Sequence, residues 1–228
     1  MSASGGPDLV QDGLILCLDA ASKKSYPRSG NVWYDSSNNK NNFTLLDGPV
    51  FDSSNMGSFF FNGNYAYLQS KPILNFGTGD FSVSFWINSF GQYANYPAIF
   101  SASSGWYLNT FKICMVAGDN QRVGFEHNGG SSFTSTFELV PNTWYHVVIF
   151  RRGGVFYMFI NGILNNSVSD ANLVNLGDGG TVIGGGNWDG GSSYFYGKLN
   201  GFCVYNRALS VPEILQNYKS LKGRFLLT

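Results

Sequence analysis

Phe81-Ser82-Val83-Ser84-Phe85-Trp86-Ile87 decides the fold. Every second residue from Phe81 to Ile87 is apolar, and Ser82, Ser84 and Trp86 fall between. A period of two sends alternate side chains to opposite faces of a strand, so Phe81, Val83, Phe85 and Ile87 look one way and Trp86 the other. Similar runs follow downstream. Trp144–Phe150 and Val155–Ile160 are rich in β-branched and aromatic residues, with Arg151-Arg152-Gly153-Gly154 as a turn between them. Asn161-Gly162 precedes Ile163-Leu164. Asn-Gly between apolar runs marks a hairpin, because both turn residues need positive φ. Further strands are expected at 13–20, 42–46, 58–69, 98–102, 106–117, 122–127, 133–140, 181–184 and 194–205. Turn residues part them roughly every 8–15 residues, the spacing of an all-β antiparallel sandwich or jelly roll.

One helix is expected, near the C-terminus. Ser210-Val211-Pro212-Glu213 reads as a capping box with Ser210 at the N-cap, Pro212 in the first turn, and Leu209 and Ile214 at the staple positions. Ile214, Leu215, Tyr218 and Leu221 make its apolar stripe, and Gly223 its stop. The expected division is an N-terminal arm over 1–12, a jelly-roll sandwich over 13–209, and a helix and tail over 210–228 packed on the sandwich. The arm is short and contains Gly and Pro, so it is read as a tether.

Composition excludes several functions. The 14 basic residues balance 14 acidic ones, and only 12% of the 228 residues are charged, which argues against a nucleic-acid partner. Low charge with 17% aromatics is the reverse of a disorder signature. No long apolar run is present to span a membrane. Residues 1–12 lack the basic start and apolar core of a secretory signal. The three cysteines, Cys17, Cys114 and Cys203, each lie in an apolar run. They read as buried thiols of a protein assembled in a reducing compartment, the alternative being one disulfide and one free thiol.

Three groups of segments together resemble the laminin G-like jelly roll of the concanavalin A-like lectin/glucanase superfamily. They are Asp80–Ile87; Trp144–Val148 with Phe159-Ile160-Asn161-Gly162; and Tyr196–Phe202 with Val204–Ser210. Two more segments resemble a subgroup found in virion proteins of tailed phages of marine or cyanobacterial hosts. These are Gly13–Ala20 with Ser25-Tyr26-Pro27 and Trp33-Tyr34-Asp35, and Glu213–Tyr218 with Lys222–Phe225. The resemblance implies a two-sheet antiparallel jelly-roll sandwich with one short C-terminal helix. It also implies a non-catalytic virion structural protein: a head decoration, a fibre or a tail-associated module. Zero net charge and sparse charged residues leave little repulsion between copies, so the expected partners are other virion proteins and copies of itself, as a trimer. Its location would be the virion, assembled in the host cytoplasm. The alternative is an adhesin recognising host-surface polysaccharide.

The superfamily includes glucanases, which carry paired carboxylates on one strand face. The only glutamates are Glu126, Glu138 and Glu213, and no carboxylate pair occurs at strand spacing. Ser/His/Asp chemistry would need His127 or His146, and the family resemblance implies a structural role for His146. No enzyme activity is therefore expected. Related domains hold calcium in loops, and Asp35–Asn42 offers hard oxygen ligands. With one acidic residue, and Lys40 beside it, an Asx-rich turn is the competing reading. No other cofactor is expected.

Glycan binding needs an aromatic platform with polar groups for sugar hydroxyls. Two loops carry that mix: Tyr93, Asn95 and Tyr96 with Trp106 close behind, and Asn187, Trp188 and Asp189 leading to Tyr194. The same residues would equally serve a protein partner.

Overall fold

The computed structural model describes residues 8–64, 66–73, 76–91, 96–102, 111–116, 121–127, 131–170, 172, 174, 180–185 and 194–225. In chain order the strands begin with β1 (Leu14–Leu18), β2 (Val32–Trp33), β3 (Phe43–Leu46), β4 (Val50–Asp52) and β5 (Ser58–Asn62). They continue with β6 (Tyr67–Ser70), β7 (Phe81–Ser89), β8 (Ala98–Ala102), β9 (Phe111–Met115), β10 (Val123–His127) and β11 (Ser131–Thr134). The last are β12 (Trp144–Arg152), β13 (Val155–Ile160), β14 (Ile163–Ser169), β15 (Thr181–Ile183) and β16 (Tyr196–Tyr205), followed by helix α1 (Val211–Lys222). The first sheet runs β14-β13-β12-β7-β16-β5-β4, with β1 joining β16; the second runs β11-β10-β9-β8-β15-β6-β3-β2. All pairings are antiparallel, as expected for a jelly-roll sandwich.

Alternation in β7 works as the sequence predicts. Phe81, Val83, Phe85 and Ile87 enter the core between the sheets, while Trp86 belongs to a separate cluster with Trp144, Leu221 and Phe225. Phe85 stacks on Phe202 of β16 at 5.3 Å, and Phe100 of β8 meets Phe202 at 5.7 Å, so aromatic contacts join the two sheets. Asn161 and Gly162 both have positive φ, at 52° and 80°, and turn β13 into β14. The long strand β16 serves three partners: β7 lies along one edge, and on the other its first half pairs with β5 and its second with β1. The register shifts at Asn200–Cys203, where Gly201 has φ 63°. A Cβ there would come within 3.0 Å of Trp86, so only glycine fits without a shift.

The helix lies on the outer face of the first sheet, where Ile214 clusters with Val148, Phe150, Phe159 and Tyr205. Glu213 accepts the Ser210 N–H at 2.8 Å, completing the expected cap. Arg207 grips the same carboxylate at 3.0 and 2.6 Å. Those bonds, Arg207 first, hold the Glu213 carboxyl down at about 2. Leu209 and Ile214, the staple pair, share one cluster.

Several expectations are corrected. The 58–69 run is two strands in different sheets, because the chain turns at Gly63, with φ 76°. The 133–140 strand stops at Thr134. Beyond it Ser135 N still donates to Val123 O, but the return bond from Val123 N goes to the Ser135 hydroxyl, which itself donates to Phe137 O. Gly223 ends the helix with φ −62°, so its freedom to adopt positive φ is not used. The arm is not free along its second half: Val10 is buried, its N–H donates to Asn217 Oδ1 at 2.9 Å, and its carbonyl accepts from Tyr205 at 3.2 Å. Past the helix, Phe225 is buried against Trp86 and Trp144 at 4.3 and 4.5 Å.

Candidate functional site

The second sheet turns Phe111, Ile113, Phe100, Ile183 and Leu68 into the core. Their neighbours along the strands must then face outward. These form one row across the sheet: Glu126 opposite Lys112, Lys112 opposite Ser101, Ser101 opposite Val182, Val182 opposite Gln69, and Gln69 opposite Thr44. The row is polar except at Val182. Ser101, Lys112 and Val182 are buried, whereas Glu126, Gln69 and Thr44 are half-buried.

Aromatic rings stand at two places on this face. Tyr96, 45% exposed, has the Lys112 ammonium 5.8 Å from its ring centre. Tyr67, the outward neighbour of Leu68, packs against Tyr194 at 6.3 Å. Lys112 is only 7% exposed, and among the described residues its one ion-pair partner, Glu126, lies at the outer limit of 4.0 Å. An ammonium has three N–H donors, so Lys112 retains capacity to bond a ligand oxygen beside Tyr96.

Two of the eight sequence candidates, Tyr96 and Tyr194, thus fall on the same sheet face. Tyr93, Asn95, Trp106, Asn187, Trp188 and Asp189 lie outside the described residues. Sequence reasoning missed Lys112, Ser101, Gln69 and Tyr67. The signal was present in the alternation of β8 and β9, where Ser101 and Lys112 sit between core apolar residues. A separate aromatic group, Phe60, Phe90 and Tyr196, lies on the outer face of the first sheet, with mutual ring distances of 5.6 to 6.1 Å.

Both histidines are sealed in packing. His146 Nε2 meets Ser84 Oγ at 2.8 Å, and its Nδ1 has no hydrogen-bond partner. Burial pushes this imidazole down to about 3. A base of that strength, without a carboxylate to orient it, cannot activate a serine near neutral pH. His127 bonds Asp170 Oδ2 at 2.8 Å, and its ring packs on Phe125 and Phe156. Burial lowers its pKa more than the Asp170 charge raises it. Nearby, the buried Arg151 guanidinium donates to the carbonyls of Gly77, Gly79 and Asn172, at 2.6 to 3.0 Å, and ties those loops to β12. Among the described residues, Glu126 is the one carboxylate in the polar row, already turned toward Lys112.

Asp35 anchors a turn. Its carboxylate accepts from Cys17 N, Ser37 N, Ser37 Oγ and Asn41 N at 2.7 to 2.8 Å. Its oxygens are therefore committed to the protein, which favours the Asx-rich turn over a calcium loop. Among the described residues no cluster of three or more His, Cys, Asp or Glu could hold a metal ion. Nor is any described helix long and apolar enough to cross a membrane.

A two-sheet jelly roll with a polar row on one outer face defines a lectin-like domain. The family profile Laminin_G_3, of the Concanavalin A-like lectin/glucanases superfamily, matches residues 62–215, and the chain belongs to that family. No curated protein matches the sequence. Among solved structures, the binding domain of Paraclostridial Mosquitocidal Protein 1 is similar, with a TM-score of 0.72 and 17% identity over 92% of this chain and 52% of that one. Domain 4 of AbnA, a GH43 extracellular arabinanase from Geobacillus stearothermophilus solved with arabinotriose, has a TM-score of 0.71 and 15% identity, over 92% of this chain and 100% of that one. The botulinum neurotoxin serotype G binding domain gives 0.68 and 18%, over 90% of this chain and 50% of that one. The chain spans about half the length of the toxin binding domains it matches. These likenesses establish the fold.

Proposed function

We propose that the protein is a non-catalytic, lectin-like binding module of a phage virion that holds host-surface polysaccharide on the outer face of the second sheet. The observation that carries the binding reading is Tyr96, an exposed ring beside the ammonium of Lys112, on the face that also bears Tyr67 and Tyr194. An exposed ring offers its face to the apolar side of a sugar, and a fixed donor beside it takes a hydroxyl or carboxylate. Support comes from the arabinanase domain of the same fold, solved with arabinotriose, and from the toxin binding domains. The virion reading rests on the resemblance of the 13–20 and 213–218 segments to tailed-phage virion proteins. In that setting the module assembles in the host cytoplasm, as a trimer or against other virion proteins.

The test is calorimetry against host-cell polysaccharides, with light scattering for oligomeric state and proteomics of purified particles. Tyr96→Ala should weaken binding at least about tenfold, the effect of losing one ring contact of roughly 1.4 kcal/mol. Tyr196→Ala, on the opposite side of the sandwich, should leave binding unchanged. Equal losses in both variants, or no polysaccharide bound at all, would overturn the assignment. Absence of the protein from particles would remove the virion reading alone.

A further inference from the structure

We propose that Cys17 and Cys203 join in a cross-strand disulfide when the reduced protein meets a disulfide oxidant, stapling β1 to β16. The two cysteines stand directly opposite each other in the antiparallel pairing. The Cys17 N–H donates to Asp35 Oδ1 at 2.8 Å, and the Cys17 carbonyl accepts from Ser36 N at 2.8 Å. Both backbone groups therefore point away from β16. That makes Cys17–Cys203 a non-hydrogen-bonded pair, the closer of the two antiparallel kinds, with Cα atoms about 4.5 Å apart. A disulfide spans Cα separations of about 4.4–6.8 Å, so the strands need little movement to close one.

The side chains also meet. Both thiols belong to one buried cluster, with Val10, Val148, Tyr205 and Ile214. The neighbouring Cys17 thiol, followed by burial, holds the Cys203 thiol well above the usual thiol range. Cys203 is therefore quiet in the closed protein, and exchange proceeds through local opening. Cys114 supplies an internal control: it sits in β9 of the other sheet, facing Gly124 and Ala98.

The chemistry balances with a small disulfide such as oxidised glutathione. One cysteine thiolate attacks it and expels one molecule of reduced thiol. The second thiolate then attacks the mixed disulfide and expels the other. The two cysteines lose two electrons and two protons, and the reagent gains them. Among the described strands β1 is held in its sheet by β16 alone, so the staple secures the strand that carries the packed N-terminal segment.

The test uses the full chain, purified with reductant, desalted and incubated overnight with oxidised glutathione. Remaining thiols are alkylated in denaturant, and the peptides are mapped without reduction. The expected map links the Cys17 peptide to the Cys203 peptide and finds Cys114 alkylated. Tm should rise by about 5–10 °C and fall back on adding dithiothreitol. Cys114→Ser should preserve both results, and Cys203→Ser should lose both. Free or separately glutathionylated Cys17 and Cys203 in the wild-type map, or a link through Cys114, would overturn the proposal. That map decides the question even where a variant fails to fold.

Discussion

The two faces of strand β7 are both buried, but by different means. Its inner face meets the other sheet through Phe81, Val83, Phe85 and Ile87. Its outer face presents Ser82, Ser84 and Trp86, covered by the helix and by segments from both ends of the described chain. On the inner side, burial is apolar packing, strong in sum and indifferent to direction. On the outer side, several polar groups have a directed task, although the buried Trp86 indole N–H and Asn88 Oδ1 find no partner. Ser82 donates to Arg207 O at 2.9 Å and accepts from Leu209 N at 2.9 Å. Asn217 donates to Tyr205 Oη at 2.9 Å while accepting from Val10 N at 2.9 Å. Serine between apolar residues thus marks solvent in an isolated strand, and here it marks the bonds that seat a covering layer.

Substitutions should separate the two faces. Phe85→Ala removes a ring fully enclosed between the sheets, where neighbours cannot collapse inward. It should cost about 3–5 kcal/mol in denaturant unfolding, the largest effect expected. Phe225→Ala removes a ring that stacks on Trp86 at 4.3 Å from the turn after the helix rather than from within a strand. Its surroundings can relax, and about 2 kcal/mol is expected. An equal loss at both positions would break the distinction between a rigid inner core and a forgiving outer cover.

A smaller effect comes from acid. Burial places the folded pKa of His146 at about 3, below the 6.5 of an exposed histidine. Below pH 6.5 the unfolded chain takes up a proton that the folded chain refuses, so stability falls with pH from about 6.5 toward about 3. Between pH 6.5 and 5.5 this one group should cost about 1 kcal/mol, and His127, lowered in the same direction, adds to it. Thermal melts of wild type and His146→Gln across this range check the point. A wild-type Tm that stays flat would show that the outer face admits water at His146.

The face proposed to bind was legible only in pieces. Tyr96 and Tyr194 stood out because turn-rich, polar stretches surround them, leaving no obvious core role. Lys112 did not, since a lysine in Phe111-Lys112-Ile113 reads as an ordinary solvent-facing strand residue. Its burial beside Tyr96 depends on strand order, which places β9 between β10 and β8. The cysteines behaved similarly. Their apolar neighbours made burial predictable, yet nothing local pairs position 17 with position 203.

Strand alternation, the Asn161-Gly162 turn and the Ser210–Glu213 cap are decided by residues a few positions apart. Steric limits on φ and bonds to near neighbours act on them wherever they sit, so they can be read directly from the chain. Which strands pair, where 58–69 breaks between sheets, and what covers the outer face of β7 are contacts between residues far apart in sequence. Val10 with Asn217, Trp86 with Phe225 and Cys17 with Cys203 meet only after both sheets have formed. No local preference encodes such meetings; they follow from the one packing that buries both faces of the first sheet while satisfying most of its backbone and side-chain hydrogen bonds.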